Sequence, residues 1–184
     1  MKTWEDFVKT SVSKEDELVN RINGAIAETI PFTMKWEKYR PKAYWDNIGK
    51  RWTVGHGHTR IPDAKTGALR AVVEGDVMSE KDSKSLSSRI MRENAYNLYK
   101  NIPWFRLLSQ NAMSAVLDKS YGAGWGVFTP QKSKNLNTKM NVPGVDPDKA
   151  YWSEHDTYTS GGGKKNVPGL VNRQKASKAR WNNQ

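Results

Sequence analysis

A turn signal between two strand-like runs constrains the fold of this chain most. Asn47-Ile48-Gly49 has the composition of a turn, and the flanking runs, 42–46 and 51–59, are rich in aromatic and β-branched residues. Such runs on either side of a glycine-containing turn predict an antiparallel β-hairpin. Elsewhere the apolar residues recur mainly at helical spacing. We therefore predict an α+β fold that is mostly α, with one small sheet.

Helices are predicted before the hairpin. The segments 4–12 and 18–30 carry apolar residues at helical spacing, and Ser13 with Asp16 has the pattern of a capping box between them. The chain is therefore predicted to open with two short amphipathic helices. A third short helix is predicted from Pro31 to a point near Glu37, because proline suits the first position of a helix.

Helices also follow the hairpin, after a stretch at 61–75 that is predicted to be a loop or an irregular strand. Ser79 and Asp82 form a second capping-box pattern, which predicts a long helix running toward Lys100. A later helix is predicted to bury one face and to end at the glycines after Tyr121; that face comprises Ala112, Met113, Val116, Leu117 and Ser120. Asp146-Pro147 and Pro168 predict the starts of two more helices.

Length, charge and cysteine content limit the possible functions. The chain has 184 residues, enough for one domain or for one domain of two lobes. Its net charge of +11 and its isoelectric point near 9.8 predict a polyanionic partner such as a bacterial wall, a nucleic acid or an anionic membrane. The absence of cysteine excludes disulfides and thiol catalysis. No stretch has the pattern of a signal peptide or a membrane span.

Two carboxylates flank the start of the predicted hairpin. Cleavage of a glycosidic bond needs one carboxylic acid to protonate the leaving oxygen and a second to activate water or attack the sugar, and Glu37 and Asp46 fit these roles. Glu37 lies at the predicted C-terminal end of a helix, where the helix dipole disfavours an ionised carboxylate. This placement favours Glu37 as the proton donor. A hydroxyl at Thr53, beside Asp46, is suited to hold an attacking water.

The order of these residues resembles a known family. Glu37, Ala43-Tyr44, Asp46 and Gly49 are followed by Thr53-Val54-Gly55-His56-Gly57-His58-Thr59. This pattern is similar to that of the phage-type lysozymes, the muramidases of glycoside hydrolase family 24. Weaker similarities lie at 115–124 and at Gly169-Leu170-Val171-Asn172-Arg173.

The resemblance implies a two-lobed, lysozyme-like fold. Residues 1–30 would be an N-terminal helical extension of a catalytic domain at 31–184. Within that domain, a helix at about 79–100 would join an N-terminal lobe of about 31–78, which holds the small antiparallel sheet, to a helical C-terminal lobe of about 101–184.

The resemblance also implies an activity and the residues that perform it. The activity would be hydrolysis of the β-1,4 bond between N-acetylmuramic acid and N-acetylglucosamine in peptidoglycan, as in an endolysin, without a metal or organic cofactor. The implied catalytic residues are Glu37, Asp46 and Thr53, and those implied to contact substrate are Tyr121, His56 and Thr59. Structural support would come from Gly55, Gly57, His58 and Arg173, the last of which approaches the catalytic Glu in the family.

Several alternatives stay open. A lytic transglycosylase cuts the same bond with one acid and no water, although retention of Asp46 favours hydrolysis. A non-catalytic polyanion-binding or virion protein on the same scaffold also fits the charge. His56 and His58 have the spacing of a metal pair, but no third ligand is evident and no metal is expected.

The expected partners and location follow from the charge and the resemblance. Peptidoglycan is expected as substrate. An anionic envelope surface such as lipopolysaccharide is the expected contact of the basic C-terminal helix, which lies in the acid-free segment after Asp156. No nucleic-acid partner is expected, and the protein is expected to be a monomer. An endolysin would accumulate in the cytoplasm of the host bacterium and reach the periplasm and wall after holin-type release.

Overall fold

The computed structural model describes the backbone of residues 4–155 and 168–182 and the side chains of 13–155 and 171–182. The helices are α1 (Trp4–Glu37), α2 (Glu80–Asn101), α3 (Gln110–Ala123), α4 (Lys134–Met140), α5 (Pro147–Glu154) and α6 (Pro168–Trp181). Two 3-10 helices span Pro103–Leu107 and Trp125–Phe128. The strands are β1 (Arg40–Asp46), β2 (Arg51–Gly55), β3 (Arg60–Pro62) and β4 (Leu69–Ala71). The predicted α+β class, mostly α with a small antiparallel hairpin, is confirmed.

The contacts divide the chain into two compact units. Residues 30–93 form one uninterrupted unit, which we call the hairpin unit. Residues up to Thr29 and from Asn94 onward form the other, which we call the helical unit. The segment predicted as an N-terminal extension is therefore grouped with the second half of the chain.

The N-terminal helix α1 is continuous, so the prediction of separate short helices is wrong. Ser13 and Asp16 lie inside it and are exposed. Residues three apart share a helix face, so the Ser-x-x-Asp spacing suits a helix interior as well as a cap. Pro31 also lies inside the helix rather than at its first position. The helix ends at Glu37 as predicted, because Lys38 has a positive φ of 43°.

The hairpin unit contains two antiparallel strand pairs. β1 pairs with β2 around the predicted turn, but β2 is shorter than expected because Gly55 turns the chain with a φ of +64°. β3 pairs with β4 in the stretch that was predicted as a loop or irregular strand. A small core packs both pairs against the first turns of α2 and comprises Val54, Ile61, Val72 and Leu86.

The predicted start of α2 is confirmed. The Ser79 hydroxyl accepts a hydrogen bond from the Asp82 amide at 3.1 Å and donates one to the Asp82 carboxylate at 2.6 Å. These bonds satisfy one of the unpaired amides that every helix N-terminus exposes. The long predicted helix therefore begins within one residue of its expected position.

The helical unit is built around α3. Its predicted buried face is confirmed, and Gly124, with a φ of +77°, ends the helix. The Asp146 side chain accepts bonds from the amides of Asp148 and Lys149, as expected for the cap of α5. The first part of α1 belongs to this unit through Arg21, which donates to the Leu108 carbonyl at 3.1 Å, and Thr29, which donates to the Ser114 carbonyl at 3.2 Å. Within the described ranges, no helix is both long enough and apolar enough to cross a membrane.

Candidate active site

Glu37 is the last residue of α1 and is half-buried. Its carboxylate lies against the backbone of Gly57, since a Cβ at that position would be 2.8 Å from Glu37 Oε2. Gly57 also has a φ of +83°, a conformation that side chains disfavour. Glycine at position 57 therefore leaves the space that the Glu37 carboxylate occupies beside the main chain.

The register of the hairpin places the other two predicted catalytic residues on one face. Tyr44 pairs with Thr53 and Asp46 with Arg51. Directly paired residues share a face, and alternate residues of a strand return to it. Asp46 and Thr53 are therefore diagonal neighbours, a relationship that separates Cα atoms by about 7–8 Å.

The opposite face of the hairpin carries a pair of tryptophans. Trp45 pairs with Trp52 in the register, and their rings meet edge to face with centroids 5.8 Å apart. Such a pair adds stability beyond the area that it buries. The aromatic contact thus holds the two strands together without occupying the face that carries the carboxylate.

Asp46 and Thr53 differ in how their polar atoms are satisfied. Asp46 Oδ1 accepts the Ile48 amide at 2.9 Å, which closes the turn. The Thr53 side chain is only 4% exposed, and its hydroxyl has no hydrogen-bond partner among the described residues. A buried hydroxyl without a partner is costly, so the hydrogen-bonding capacity of Thr53 beside this carboxylate calls for an explanation.

Tyr44 is a site residue that the sequence did not single out by itself. Burial raises the pKa of its phenol, the Arg40 guanidinium lowers it, and the Asp46 and Glu37 carboxylates raise it further. The Arg40 guanidinium lies 4.2 Å from the centre of the ring. Both carboxylates therefore act electrostatically on the same phenol.

The turn after β2 is closed by backbone bonds. Val54 and His58 exchange amide-to-carbonyl hydrogen bonds of 2.9 Å in each direction. Gly55 allows the turn to approach α2, since a Cβ there would lie 2.4 Å from Ser83 Oγ. Glycine at position 55 thus serves a positive φ and a close approach at once, as expected for a structural role.

Both histidines of the turn are buried against α2. The His56 amide donates to Ser83 Oγ at 2.9 Å, and the His56 ring places Nδ1 2.8 Å from the same oxygen. The His58 ring places Nε2 3.0 Å from the Ser83 carbonyl and 3.3 Å from Ser87 Oγ. His58 thus makes the contacts expected of a residue that braces the hairpin.

Burial favours the neutral form of both rings. It is the largest cause of the lowered pKa of His56 and of His58. Glu80 and Glu37 raise the pKa of His56 and Lys84 lowers it, but these effects are smaller than burial. His56 is only 3% exposed, so its burial favours a supporting role, and contact of this ring with substrate stays a prediction.

Ser83 and Ser87 were missed by the sequence analysis. They are fully buried and lie with Leu86 and Ile90 on one face of α2. Two serines at i and i+4 inside an apolar helix face are a signal that something polar faces them. Their partners lie 25 to 29 residues earlier in the chain, so the sequence could not identify them.

The structure gives the positions of the remaining predicted residues, and their functional roles stay predictions. Thr59 is half-buried, and its carbonyl accepts the Val72 amide at 3.1 Å. In the helical unit, Tyr121 is half-buried near the end of α3. Arg173 of α6 pairs with Asp118 of α3 at 2.7 Å. Among the residues whose side chains are described, no group of three His, Cys, Asp or Glu side chains is arranged to hold a metal ion.

Comparison with known proteins identifies the family of the chain. The family model described as phage lysozyme matches residues 34–177, well over half of the chain. The chain belongs to the phage lysozyme family. Members of this family are glycoside hydrolases that act on peptidoglycan, and the resemblance inferred from the residues around Glu37 and Thr53 is confirmed.

Individual relatives support membership of the phage lysozyme family. An endolysin of Acyrthosiphon pisum secondary endosymbiont phage 1 is 28% identical over 147 residues, which cover 79% of this chain and 88% of that relative. Among solved structures, the endolysin of Escherichia coli O157:H7 phage FAHEc1 superposes with a TM-score of 0.59 at 15% identity, covering 84% of this chain and 90% of its own. A lysozyme of phage P22 gives a TM-score of 0.58 at 18% identity, with coverage of 84% and 94%. These two structural matches establish the lysozyme-like fold.

Proposed function

We propose that the protein is an endolysin that hydrolyses the β-1,4 bond between N-acetylmuramic acid and N-acetylglucosamine. Glu37 would donate a proton to the glycosidic oxygen as the bond to the anomeric carbon breaks. Asp46 would accept a proton from a water that attacks the anomeric carbon from the opposite face. The product configuration is inverted if the two carboxylates are far enough apart to admit that water.

One observation carries this proposal. Thr53 presents a buried hydroxyl that has no partner in the described part of the chain, on the same hairpin face as Asp46. A hydroxyl and a carboxylate together can accept from and orient a single water. A lytic transglycosylase needs no such water, because the sugar's own hydroxyl closes the ring. The presence of Asp46 and Thr53 on one face of the hairpin therefore favours hydrolysis.

The test replaces each carboxylate by its amide. Glu37→Gln keeps the shape of the side chain but cannot donate an acid proton, so kcat on purified sacculi should fall by about 10²–10⁴-fold. Asp46→Asn should be severely impaired as well. Glu74→Gln, an exposed carboxylate in the same unit, is the matched control and should retain activity.

Mass analysis of the released muropeptides distinguishes the alternatives. Reducing ends indicate a muramidase, whereas anhydro ends indicate a transglycosylase. Wild-type activity in Glu37→Gln would remove this residue from the mechanism. A wild-type protein that binds sacculi but releases no fragments would favour the non-catalytic polyanion-binding function.

We further propose that the basic side of α6 contacts anionic envelope polymers such as lipopolysaccharide. Lys175 and Arg180 are exposed on this helix, and the chain carries a net charge of +11. Exposed charges act over about 8 Å at physiological salt, so such binding should weaken as salt is added. We propose that the protein works as a monomer and reaches the wall from the host cytoplasm by holin-type release.

The contact is tested by a charge-matched pair of variants. Lys175→Gln with Arg180→Gln should lower low-salt binding to lipopolysaccharide and flatten its salt dependence. Lys132→Gln with Lys134→Gln removes the same charge from other exposed sites of the helical unit. Equal losses in the two variants would assign the binding to net charge alone.

A further inference from the structure

A single serine of α2 joins both histidines of the turn. Ser83 Oγ lies 2.9 Å from the His56 amide nitrogen, 2.8 Å from His56 Nδ1 and 3.1 Å from His58 Nε2. Ser83 is fully buried, and its carbonyl oxygen also contacts His58 Nε2 at 3.0 Å. Hydrogen bonds of this kind are strengthened by a low-dielectric interior and hold their groups in one arrangement.

The donors and acceptors of this cluster restrict the tautomers of the two rings. A carbonyl oxygen only accepts, so the contact between Ser83 O and His58 requires a hydrogen on His58 Nε2. Ser83 Oγ accepts the His56 amide and still has one hydrogen to donate. We assign this hydrogen to His56 Nδ1, 2.8 Å away, because the hydroxyl then both donates and accepts within the cluster. In this assignment His56 is neutral and carries its hydrogen on Nε2.

The turn at residues 55–58 lies close to Ser83 at one end and close to Glu37 at the other. At one end, Gly55 approaches α2 so closely that a Cβ would lie 2.4 Å from Ser83 Oγ. At the other end, a Cβ on Gly57 would lie 2.8 Å from Glu37 Oε2. Only His56 separates the two glycines, and its own amide is bonded to Ser83. A shift of the turn away from α2 would therefore change the surface on which the Glu37 carboxylate rests.

We propose that Ser83 is a positioning residue for Glu37, acting through the backbone of residues 55–58. The inference rests on the proposed role of Glu37 as general acid. Ser83 touches neither the sugar nor the reacting atoms in this scheme. It fixes the place of the proton donor, and small misplacements of a catalytic group reduce the rate strongly.

The experiment compares two buried serines of the same helix. Ser83→Ala removes the hydroxyl that bonds His56. Ser87→Ala removes a hydroxyl that donates to the Ser83 carbonyl and lies 3.3 Å from His58 Nε2, but it leaves both bonds between Ser83 and His56 in place. We expect kcat of Ser83→Ala on purified sacculi to fall about tenfold or more, with KM within about twofold of wild type. We expect Ser87→Ala to keep kcat within about twofold, and thermal unfolding of both variants separates rate from stability.

Nitrogen NMR of the wild-type protein provides a readout that does not depend on activity or on the folding of a variant. At neutral pH, both rings should be neutral with the hydrogen on Nε2. A hydrogen on His56 Nδ1, or a charged His56, would overturn the assignment of Ser83 as its donor. Equal kcat in the two serine variants would overturn the positioning role.

The same assays separate this inference from the proposed function. An inactive Glu37→Gln together with equal serine variants would reject only the role of Ser83. An active Glu37→Gln would reject the general acid itself, and the positioning role with it.

Discussion

At the scale of single residues, Gly55 and Gly75 allow the energetic cost of backbone strain to be distinguished from the cost of a steric collision. Gly55 and Gly75 both have positive φ, +64° and +86°. A Cβ at Gly55 would lie 2.4 Å from Ser83 Oγ, whereas a Cβ at Gly75 would meet no atom within 4 Å. An alanine at either position would therefore have a strained positive φ, but only an alanine at position 55 would also collide with Ser83.

We expect Gly55→Ala to be clearly more destabilising than Gly75→Ala. The strain should cost about 1–2 kcal/mol at either position, and the collision should add about 1–3 kcal/mol at Gly55. Urea unfolding of both variants measures the difference. Equal free energies of unfolding would show that Ser83 can move aside without cost.

The sequence predicted some of these residues for physical reasons and missed others. The resemblance implied a structural role for Gly55, and glycine in a strand pattern often marks a bulge or a close backbone approach. In the structure Gly55 has a positive φ and lies close to Ser83. The partner in that approach, Ser83, lies on another element, so periodicity gave no sign of which polar group it meets. Tyr44 was visible only as part of a family pattern, because its electrostatic link to Glu37 and Asp46 depends on the register of the hairpin.

At the scale of elements, a buried ion pair joins α3 and α6. Arg173 contacts Asp118 at 2.7 Å, and their side chains are 13% and 6% exposed. Removing one partner of such a pair leaves the other charge buried without compensation. The exposed pair Arg89–Glu93 on α2, with side chains 53% and 51% exposed, has no such penalty.

We expect Arg173→Met to destabilise the protein by about 3–5 kcal/mol. Arg89→Met should change the free energy of unfolding by no more than about 0.5 kcal/mol, because it removes an exposed i,i+4 pair. Thermal or urea unfolding of the two variants tests this contrast. A small effect of Arg173→Met would mean that Asp118 is satisfied by its other contacts.

Local signals predicted the elements well where the decisive contacts are local. Ser79 with Asp82 and Asp146 with Pro147 marked helix starts correctly, because a cap involves only neighbouring residues. The same kind of signal failed at Ser13, since α1 continues through it. The bonds of α1 reach residues 85 to 87 positions away, as Arg21 and Thr29 show, and such contacts are invisible to a local pattern.

At the scale of the whole molecule, stability should depend on pH in two separate windows. The folded-state pKa values of His56 and His58 lie below 6.5, so the unfolded chain binds more protons between those values and 6.5. Stability is then fully present above pH 6.5 and decreases as the pH falls. Asp76, held by Arg70, has a pKa of about 2 instead of 3.8, so its contribution is lost only as the pH falls from about 4 toward 2.

We expect the melting temperature to fall by a few degrees between pH 7 and pH 5. His58→Gln should reduce this slope, because the replaced side chain no longer titrates. Asp76→Asn should leave the slope above pH 5 unchanged and should alter only the acid window. A melting temperature that is flat from pH 7 to pH 5 in the wild type would contradict the neutral, buried state of both histidines.

The grouping of residues into units has a consequence for synthesis. Residues 30–93 find all the partners of the hairpin unit within one uninterrupted stretch, so this unit can become structured soon after it leaves the ribosome. The first part of α1 is made earlier but belongs with residues from Asn94 onward, and at 5–20 residues per second it must wait on the order of ten seconds for them. During that interval the apolar face around Ile26 lacks the neighbours that bury it. The nascent chain therefore carries Glu37 and Asp46 in a segment able to fold early, while the first part of α1 needs protection from aggregation until its partners have been made.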